Sequence, residues 1–234
     1  MSATSLHGNG NRLLAALPAE EYERLSDSLE PVTLRLSQFL FRPDDSIDHV
    51  YFLTTSIVSL MTELEDGGGV EVGLVGREGL VGISAILGGR ETKVATVQKT
   101  GEALRIRADV LLEEFRRGGT LQSVLLKYTH ALMTQISQSV ACNTRHQIPG
   151  RLARWLLMFH DRAQTDEFEL THEFLANMLG VRRAGVTEAA DELQKLGLIE
   201  NQRGLIKILD RKGLEQYACE CYPTVKMRYD EFML

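Results

Sequence analysis

A short run of charged and small residues near position 180 has the chemistry needed to recognise the edges of DNA bases. The residues of this run that could contact bases are Arg182, Arg183, Ala184, Thr187 and Glu188. The guanidinium of Arg183 can donate to O6 and N7 of guanine, and the carboxylate of Glu188 can accept from N4 of cytosine. Thr171, His172 and Arg203 are candidates for phosphate contacts. For each charged residue, the alternative is a solvated surface position.

The sequence from Thr171 to Ile208 predicts the elements that would hold these side chains. Thr171 is a good N-cap for a short amphipathic helix, and Gly180 is suited to end it. After a three-residue turn, a second amphipathic helix is predicted over residues 183–196, followed by two short strands around residues 201–204. This order indicates a winged helix-turn-helix, in which the start of the second helix points towards the bases.

Cysteine and histidine are the residue types that could hold a metal ion or haem. Cys219 and Cys221 could be packing residues at a helix end, a redox pair or half of a metal site. Because no second ligand pair accompanies them, we predict no metal site. His49 and His130 are candidate haem ligands, but a lone histidine is more often a surface or packed residue, so we expect no haem.

The bulk composition limits the classes of protein that the chain could be. Hydrophobic residues make up 44% and charged residues 25%, as in an ordinary globular protein. No apolar run approaches the roughly twenty residues of a membrane span, and the N-terminus lacks a secretion signal. Three cysteines do not make a secreted disulfide framework. We therefore expect a cytoplasmic protein without membrane contact.

The charge of the chain does not by itself predict binding to nucleic acid. The net charge is −6, and residues 145–234 carry nearly equal numbers of basic and acidic residues. A basic face remains compatible with these numbers, but they also favour an alternative, a ligand-binding module whose winged helix contacts protein and not DNA. Catalysis is not expected, because the sequence contains no H-E-x-x-H, G-x-x-x-x-G-K or G-x-S-x-G motif.

Residues 32–106 follow a strand pattern. Short β-rich runs such as 50–53, 57–61 and 70–75 are separated by turn-forming residues, among them 66–69. Strands at this spacing predict an antiparallel β-roll or sandwich.

A long helix is predicted over residues 120–143, after a break at Gly118-Gly119. Its apolar stripe consists of Leu121, Leu125, Tyr128, Leu132, Ile136 and Val140. The stripe could pack on its own domain or form a coiled-coil seam with a second copy, and we favour the seam because the helix is long and leaves the roll. Residues 148–150 then predict a boundary, and a helix over 211–221 is expected to end at Pro223.

This order of parts resembles the Crp/Fnr family of bacterial regulators, which includes the cyclic-AMP receptor protein and the fumarate–nitrate reduction regulator. Matching stretches are V-Y-F-L-T-T-S-I-V-S-L at 50–60, G-R-E-G-L-V-G at 76–82 and A-N-M-L-G-V-R-R-A-G-V-T at 176–187. The resemblance implies an α+β fold with an N-terminal antiparallel β-roll (1–118), a long dimerisation helix (119–144) and a C-terminal winged helix-turn-helix (145–234). It also implies a homodimer that binds a palindrome in double-stranded DNA and contacts RNA polymerase.

The resemblance further implies a small-molecule effector pocket in the roll. Its members would be Gly79, Gly82, Ile83, Lys93, Val94 and Tyr128. Relatives that bind cyclic nucleotides carry Glu where this chain has Ile83 and Arg-Ser where it has Lys93-Val94, so the phosphate and ribose donors are largely missing. We therefore do not expect cyclic AMP to bind.

The same comparison separates the chain from its relatives in two other respects. Residues 1–30 hold no cysteine, and three cysteines cannot supply a four-thiolate site, so no iron–sulfur cluster is expected. Ala184 and Glu188 stand where better-known relatives carry Glu and Arg, which predicts a different half-site.

Overall fold

The computed structural model describes residues 10–65 and 68–231. The chain divides into two compact units. Among the described residues, the first unit comprises 10–60, 74–133 and 228–231, and the second comprises 61–65, 68–73 and 134–227. The predicted division into three parts, at 118/119 and 144/145, stays a prediction.

The helices and strands follow the order expected from the sequence. The N-terminal half contains α1 (Arg12–Ala15), α2 (Ala19–Ser26), β1 (Glu30–Leu34), β2 (Phe39–Phe41), β3 (His49–Leu53), β4 (Ile57–Glu63), β5 (Gly69–Val75), β6 (Leu80–Val81), α3 (Ser84–Leu87), β7 (Val94–Lys99) and β8 (Gly101–Arg107). The C-terminal half contains α4 (Ala108–Arg117), α5 (Gly119–Arg145), α6 (Ile148–Ala163), β9 (Glu167–Glu169), α7 (His172–Leu179), α8 (Arg183–Lys195), β10 (Ile199–Gln202), β11 (Leu205–Ile208), α9 (Arg211–Tyr217) and α10 (Cys221–Glu231).

Two four-stranded sheets make up the β-roll. Their strand orders are β1-β8-β3-β6 and β2-β7-β4-β5. The pairs β1–β8, β3–β8, β3–β6 and β2–β7 are antiparallel, so the predicted antiparallel roll is confirmed. The tip of the β4–β5 hairpin, residues 61–73, belongs to the second unit. Asp66 and Gly67 of the turn predicted at 66–69 lie outside the described residues.

The roll is held by apolar side chains that its strands direct away from solvent. Those with at most 1% of their surface exposed include Val50, Phe52, Ile57, Val94, Val97 and Ile106. These residues are β-branched or aromatic, and such side chains pack well on a pleated, half-buried surface.

The long helix α5 extends over 27 residues, which confirms the helix predicted from its apolar repeat. Gly118 and Gly119 have φ values of +84° and +85°, a conformation that residues with a side chain rarely adopt. Gly118 separates α4 from α5, and Gly119 is the first residue of α5. The carboxylate of Glu21 accepts the backbone N–H groups of Thr120 (2.9 Å) and Leu121 (2.7 Å). It thereby satisfies two donors at the helix start that have no partner within the helix.

The apolar stripe of α5 divides between two faces of the helix. Leu121, Leu125, Tyr128 and Leu132 are at most 5% exposed within their own chain, so they are not available to a second copy. The large apolar side chains left exposed on α5 are Leu126, Met133 and Val140, at 50%, 62% and 59%. They recur every seven residues; Val140 belongs to the predicted seam, whereas Leu126 and Met133 do not. Ile136, another member of that seam, is half-buried.

The second unit is built around α6 and a small antiparallel sheet of order β10-β11-β9. The indole of Trp155 on α6 is buried, stacks on Phe159 and donates its N–H to the Glu71 carboxylate at 2.9 Å. The sequence predicted a boundary at 148–150, but α6 already begins at Ile148. Pro149 lies in its first turn, where the missing N–H of proline costs no helical hydrogen bond.

The C-terminal segment also differs from the sequence prediction. Helix α9 ends at Tyr217, and α10 begins at Cys221 with Pro223 in its first turn, so this proline opens a helix where it was predicted to close one. The break between the two helices holds Cys219 and Glu220. Among the described residues, no helix combines the length and the apolar character needed to cross a bilayer.

Candidate functional sites

The helix-turn-helix is formed by α7 and α8 as the sequence predicted. The Thr171 hydroxyl caps α7 by accepting the N–H of Phe174 at 3.1 Å. Gly180 ends α7 with φ = +61°, and a Cβ there would lie 3.1 Å from Val70, so both the backbone conformation and the available space favour glycine. Arg182 has an extended backbone conformation, and helix α8 then extends from Arg183 to Lys195.

Helix α8 has one buried and one exposed face. Its buried side chains are Val186, Ala189, Ala190 and Leu193. Arg182, Arg183, Ala184 and Glu188 are exposed. Within residues 10–65 and 68–231, the side chains of Arg182, Arg183 and Glu188 form no hydrogen bond or ion pair. Two guanidinium groups and one carboxylate at the start of α8 are therefore available to an external partner.

His172 and Thr187 are engaged inside the protein. The amide of Asn201 donates to Nε2 of His172 at 2.9 Å, so Nδ1 of His172 carries the proton and donates to the Thr187 hydroxyl at 2.9 Å. That hydroxyl donates in turn to the carbonyl of Arg183 at 3.2 Å. This chain of hydrogen bonds joins α7, α8 and β10, so it positions the recognition elements, a role that the sequence had not predicted for either residue.

The wing is a tight hairpin between β10 and β11. Gln202 pairs with Leu205, which leaves Arg203 and Gly204 as its two-residue loop, and both have positive φ, at +51° and +84°. Positive φ at both loop positions is the geometry of a type I′ turn, whose twist matches that of the strands. Arg203 is exposed at the tip, as expected for a phosphate contact.

Two members of the predicted effector pocket pack directly on each other. The Tyr128 side chain is fully buried and donates its hydroxyl to the Leu80 carbonyl at 2.8 Å. A Cβ at Gly79 would lie 2.6–2.9 Å from the ring and hydroxyl of Tyr128, so only glycine fits beneath the ring. Gly82 has φ = +100° and leads into α3.

In the predicted effector pocket, the groups that could donate hydrogen bonds to an anion are already bound to a carboxylate of the protein itself. Glu91 is 5% exposed and accepts the backbone N–H groups of Thr92 at 2.9 Å and Lys93 at 3.1 Å. It also accepts the Ser84 hydroxyl at 3.1 Å, and the Lys93 ammonium lies 3.7 Å away. Ile83 and Val94 add no polar donor. These residues do not fit a cyclic phosphate, because the donors that it would need are already paired with Glu91.

Cysteine and histidine side chains distant in sequence meet in the second unit. Sγ of Cys142 and Sγ of Cys219 are 3.5 Å apart, and Sγ of Cys221 lies 3.5 Å from Nδ1 of His146. The four potential ligand atoms all lie within 4.8 Å of one another. The predicted absence of a metal site rested on the lack of a second ligand pair, and Cys142 and His146 supply that pair. Their spacing of four residues, at the end of the predicted long helix, was the available signal.

The electrostatics of this cluster favour one thiolate. The hydrogen bond from the Cys219 thiol lowers the pKa of Cys142 to about 5, and the charge of Arg154 acts in the same direction. The same hydrogen bond raises the pKa of Cys219, and burial adds to the effect. Burial also raises the pKa of Cys221.

Arg151 links the cluster region to the helix-turn-helix. Its guanidinium is 5% exposed and donates to Oδ1 of Asn143 at 2.9 Å and to the carbonyl of Leu179, at the end of α7. Ile148 is the first residue of α6, the helix that also carries Arg151. A Cβ on Gly185 of α8 would lie 2.7 Å from Cδ1 of Ile148. The first turns of α6 therefore lie against both helices of the recognition unit.

Each half of the chain matches the model of a known protein family. Residues 31–117 match the cyclic nucleotide-binding domain, and residues 150–217 match the Crp-like helix-turn-helix domain. A search of curated protein sequences found no match.

Solved structures share the fold over most of the chain. A crp/fnr-family protein from Eubacterium rectale matches with a TM-score of 0.71 at 19% identity, covering 90% of this chain and 99% of that one. FixK2 from Bradyrhizobium japonicum gives 0.71 at 16% identity, over 82% and 98%. TTHA1359 from Thermus thermophilus, a CRP/FNR-family transcriptional regulator, gives 0.66 at 22% identity, over 81% and 98%. At these identities the likeness concerns the fold alone.

Proposed function

Because the chain belongs to the Crp/Fnr family of transcription regulators, we propose that it binds a palindromic site in double-stranded DNA as a homodimer and thereby controls transcription from promoters in the bacterial cytoplasm. The observation that carries the proposal is the exposed start of α8. There Arg182, Arg183 and Glu188 are exposed and have no partner among the described residues, so their charges are available to DNA.

The first turns of α8 read the bases. Arg183 donates to O6 and N7 of a guanine, Glu188 accepts from N4 of a cytosine, and the Ala184 methyl group suits contact with the methyl group of a thymine. Thr171 at the start of α7 and Arg203 at the tip of the wing contact phosphates, which fix the register without reading sequence.

His172 and Thr187 act by positioning these contacts. Their hydrogen bonds run from Asn201 on the wing strand to the Arg183 carbonyl. This chain sets the angle between the two helices and the wing, so it fixes the height at which the Arg183 guanidinium meets the major groove.

The homodimer uses the exposed apolar face of α5. Leu126, Met133 and Val140 recur at intervals of seven, the spacing of one core position in a coiled coil. Two such helices side by side would bury this face and present the two recognition helices to successive major grooves.

The roll responds to a signal other than cyclic AMP, and contact with RNA polymerase follows the pattern of the family. The support for a different signal is Glu91, whose carboxylate already accepts the donors that a cyclic phosphate would need. A ligand could reach these donors only by displacing a buried carboxylate, which would leave that carboxylate unpaired. No enzymatic step is proposed.

Selection from random duplex DNA with the full-length protein tests this function. We expect an enriched palindrome, and Arg183→Ala should lose about 1–3 kcal/mol on that site while relaxing one base position in each half. Arg35→Ala is the matched control, since Arg35 is an exposed arginine of the roll whose side chain has no partner in the part of the chain that the structure describes. No enriched palindrome, together with capture of protein partners by the winged helix, would favour the protein-contact alternative.

A further inference from the structure

We propose that Cys142, His146, Cys219 and Cys221 bind one divalent metal ion of the zinc class in a tetrahedral, purely structural site. The cluster joins the C-terminal end of α5 to the start of α10 and the break before it, and all four residues belong to the second unit. Neither the winged helix-turn-helix nor the effector pocket uses these side chains.

Two of the distances between the ligand atoms match those around a single tetrahedral ion, and all of the distances are within 4.8 Å. Zn–S bonds of about 2.3 Å and Zn–N bonds of about 2.0–2.1 Å place neighbouring ligand atoms roughly 3.5–3.8 Å apart. The Cys142–Cys219 and Cys221–His146 separations are both 3.5 Å. Cys142 lies in the last turn of α5 and His146 directly follows that helix, and the other two ligands come from a short Cys-x-Cys segment.

The surroundings of the ligands support the same assignment. Nδ1 of His146 faces the cluster, and Nε2 lies 3.1 Å from the Glu220 carboxylate. A carboxylate on the distal nitrogen of a metal-binding histidine fixes the ring and its tautomer. In addition, the Gln138 amide donates to Sγ of Cys221 at 3.2 Å, a hydrogen bond suited to a thiolate that carries charge.

Two buried arginines provide an independent argument. Arg151 and Arg154 are 5% and 4% exposed, and Nε of each has no hydrogen-bond partner in the described chain. Neither arginine forms an ion pair with a carboxylate within residues 10–65 and 68–231. Buried positive charge without a counter-charge is costly. One Zn²⁺ with three thiolates and one imidazole has a net charge of −1 and would supply that counter-charge beside Cys142.

The ligand types select the metal. Thiolates with one imidazole in tetrahedral geometry suit zinc, and four protein ligands leave no open position for a substrate. A multi-iron cluster spreads its ligands over several iron centres, whereas here all four ligand atoms lie within 4.8 Å. Binding is not a redox step: the ion replaces the protons of the thiols, and these protons pass to solvent.

The metal would therefore fasten the C-terminal segment to the end of α5. The start of α6 lies beside it, and Arg151 on α6 reaches the carbonyl of Leu179 at the end of α7. Loss of the metal should consequently loosen the support of the recognition helices as well as the C-terminal segment.

Metal analysis of the full-length protein, purified under reducing conditions without chelator, tests the proposal. We expect one zinc per chain, and we expect Co²⁺ added to the metal-free protein to give thiolate charge-transfer bands with the intense visible bands of tetrahedral cobalt. His146→Ala should lose the zinc and the tetrahedral spectrum. Glu220→Gln should keep the stoichiometry and weaken affinity about 10–100-fold. His49→Ala, a histidine of the roll, is the control and should keep both.

Three results would overturn the proposal. They are folded, reduced protein that binds neither zinc nor tetrahedral cobalt, an octahedral cobalt spectrum, and a Cys142–Cys219 disulfide in protein prepared without oxygen. The wild-type titration needs no variant to fold, so instability of His146→Ala would not obscure the outcome. Retention of zinc and its affinity by His146→Ala would also contradict the ligand set.

Discussion

Gly79→Ala should destabilise the roll, because the new methyl group has no room beneath the Tyr128 ring. A Cβ at this position would lie 2.6 Å from Cε2 and 2.8 Å from the hydroxyl of Tyr128. The ring is fully buried, and its hydroxyl donates to the Leu80 carbonyl at 2.8 Å. The ring therefore cannot move away without breaking a buried hydrogen bond.

The expected loss follows from these two effects. Overpacking a filled core costs about 1–3 kcal/mol, and a buried carbonyl left without its donor costs about 1–3 kcal/mol more. We expect Gly79→Ala to lower the free energy of unfolding by about 2–6 kcal/mol. Gly89→Ala is the matched control, since a Cβ there meets nothing within 4 Å.

Urea unfolding followed by far-ultraviolet circular dichroism measures this loss. The single tryptophan, Trp155, lies in the second unit, so its fluorescence would not report on the first. In a Tyr128→Leu background the alanine should cost less, which a double-mutant cycle would reveal. Equal stabilities of the Gly79→Ala and Gly89→Ala proteins, or full additivity with Tyr128→Leu, would refute the reasoning.

Two further predictions concern α5. Met133→Glu should shift the dimer towards monomer in sedimentation velocity and weaken DNA binding. Leu36→Glu, at a similarly exposed apolar site on the roll, should do neither. An unchanged dimer in Met133→Glu would exclude this face of α5 as the dimer interface. Burial favours a higher pKa for Glu21, but the N–H groups of Thr120 and Leu121 outweigh it and lower that pKa. Glu21→Gln should thus cost about 0.5–1 kcal/mol at neutral pH, discounted for exposure. This difference should vanish as pH falls below 4.5 through the folded pKa; a pH-independent difference would contradict the cap.

The elements of this fold could be predicted because local sequence encodes them strongly. Thr171 and Gly180 mark the two ends of α7 through an N-cap and a positive φ, and both assignments are confirmed. The antiparallel pairing of the roll is likewise confirmed, since alternating apolar residues and turn residues leave few other arrangements. Pro223 was predicted to end a helix and instead opens one, because proline is compatible with both ends and only the tertiary contacts decide between them.

The sites were less predictable than the elements. Arg183 and Glu188 are exposed on the recognition helix, as a role in base contact requires, although that role itself stays a proposal. His172 was predicted to contact phosphate, but its two ring nitrogens are engaged with Thr187 and Asn201. A helical pattern identifies the face of a residue and not its hydrogen-bond partners, which come from distant parts of the chain.

Local sequence patterns were enough to predict the order and type of the elements, the location of the recognition unit and the absence of the usual phosphate donors at Ile83 and Val94. The exposed face of α5 became known only from the folded chain, because burial depends on what packs against the helix. The folded chain also showed that Glu91 occupies the anion donors, and that Cys142 and His146 meet Cys219 and Cys221 across more than seventy residues. Local preferences act over a few residues, whereas a binding site depends on groups that folding brings together.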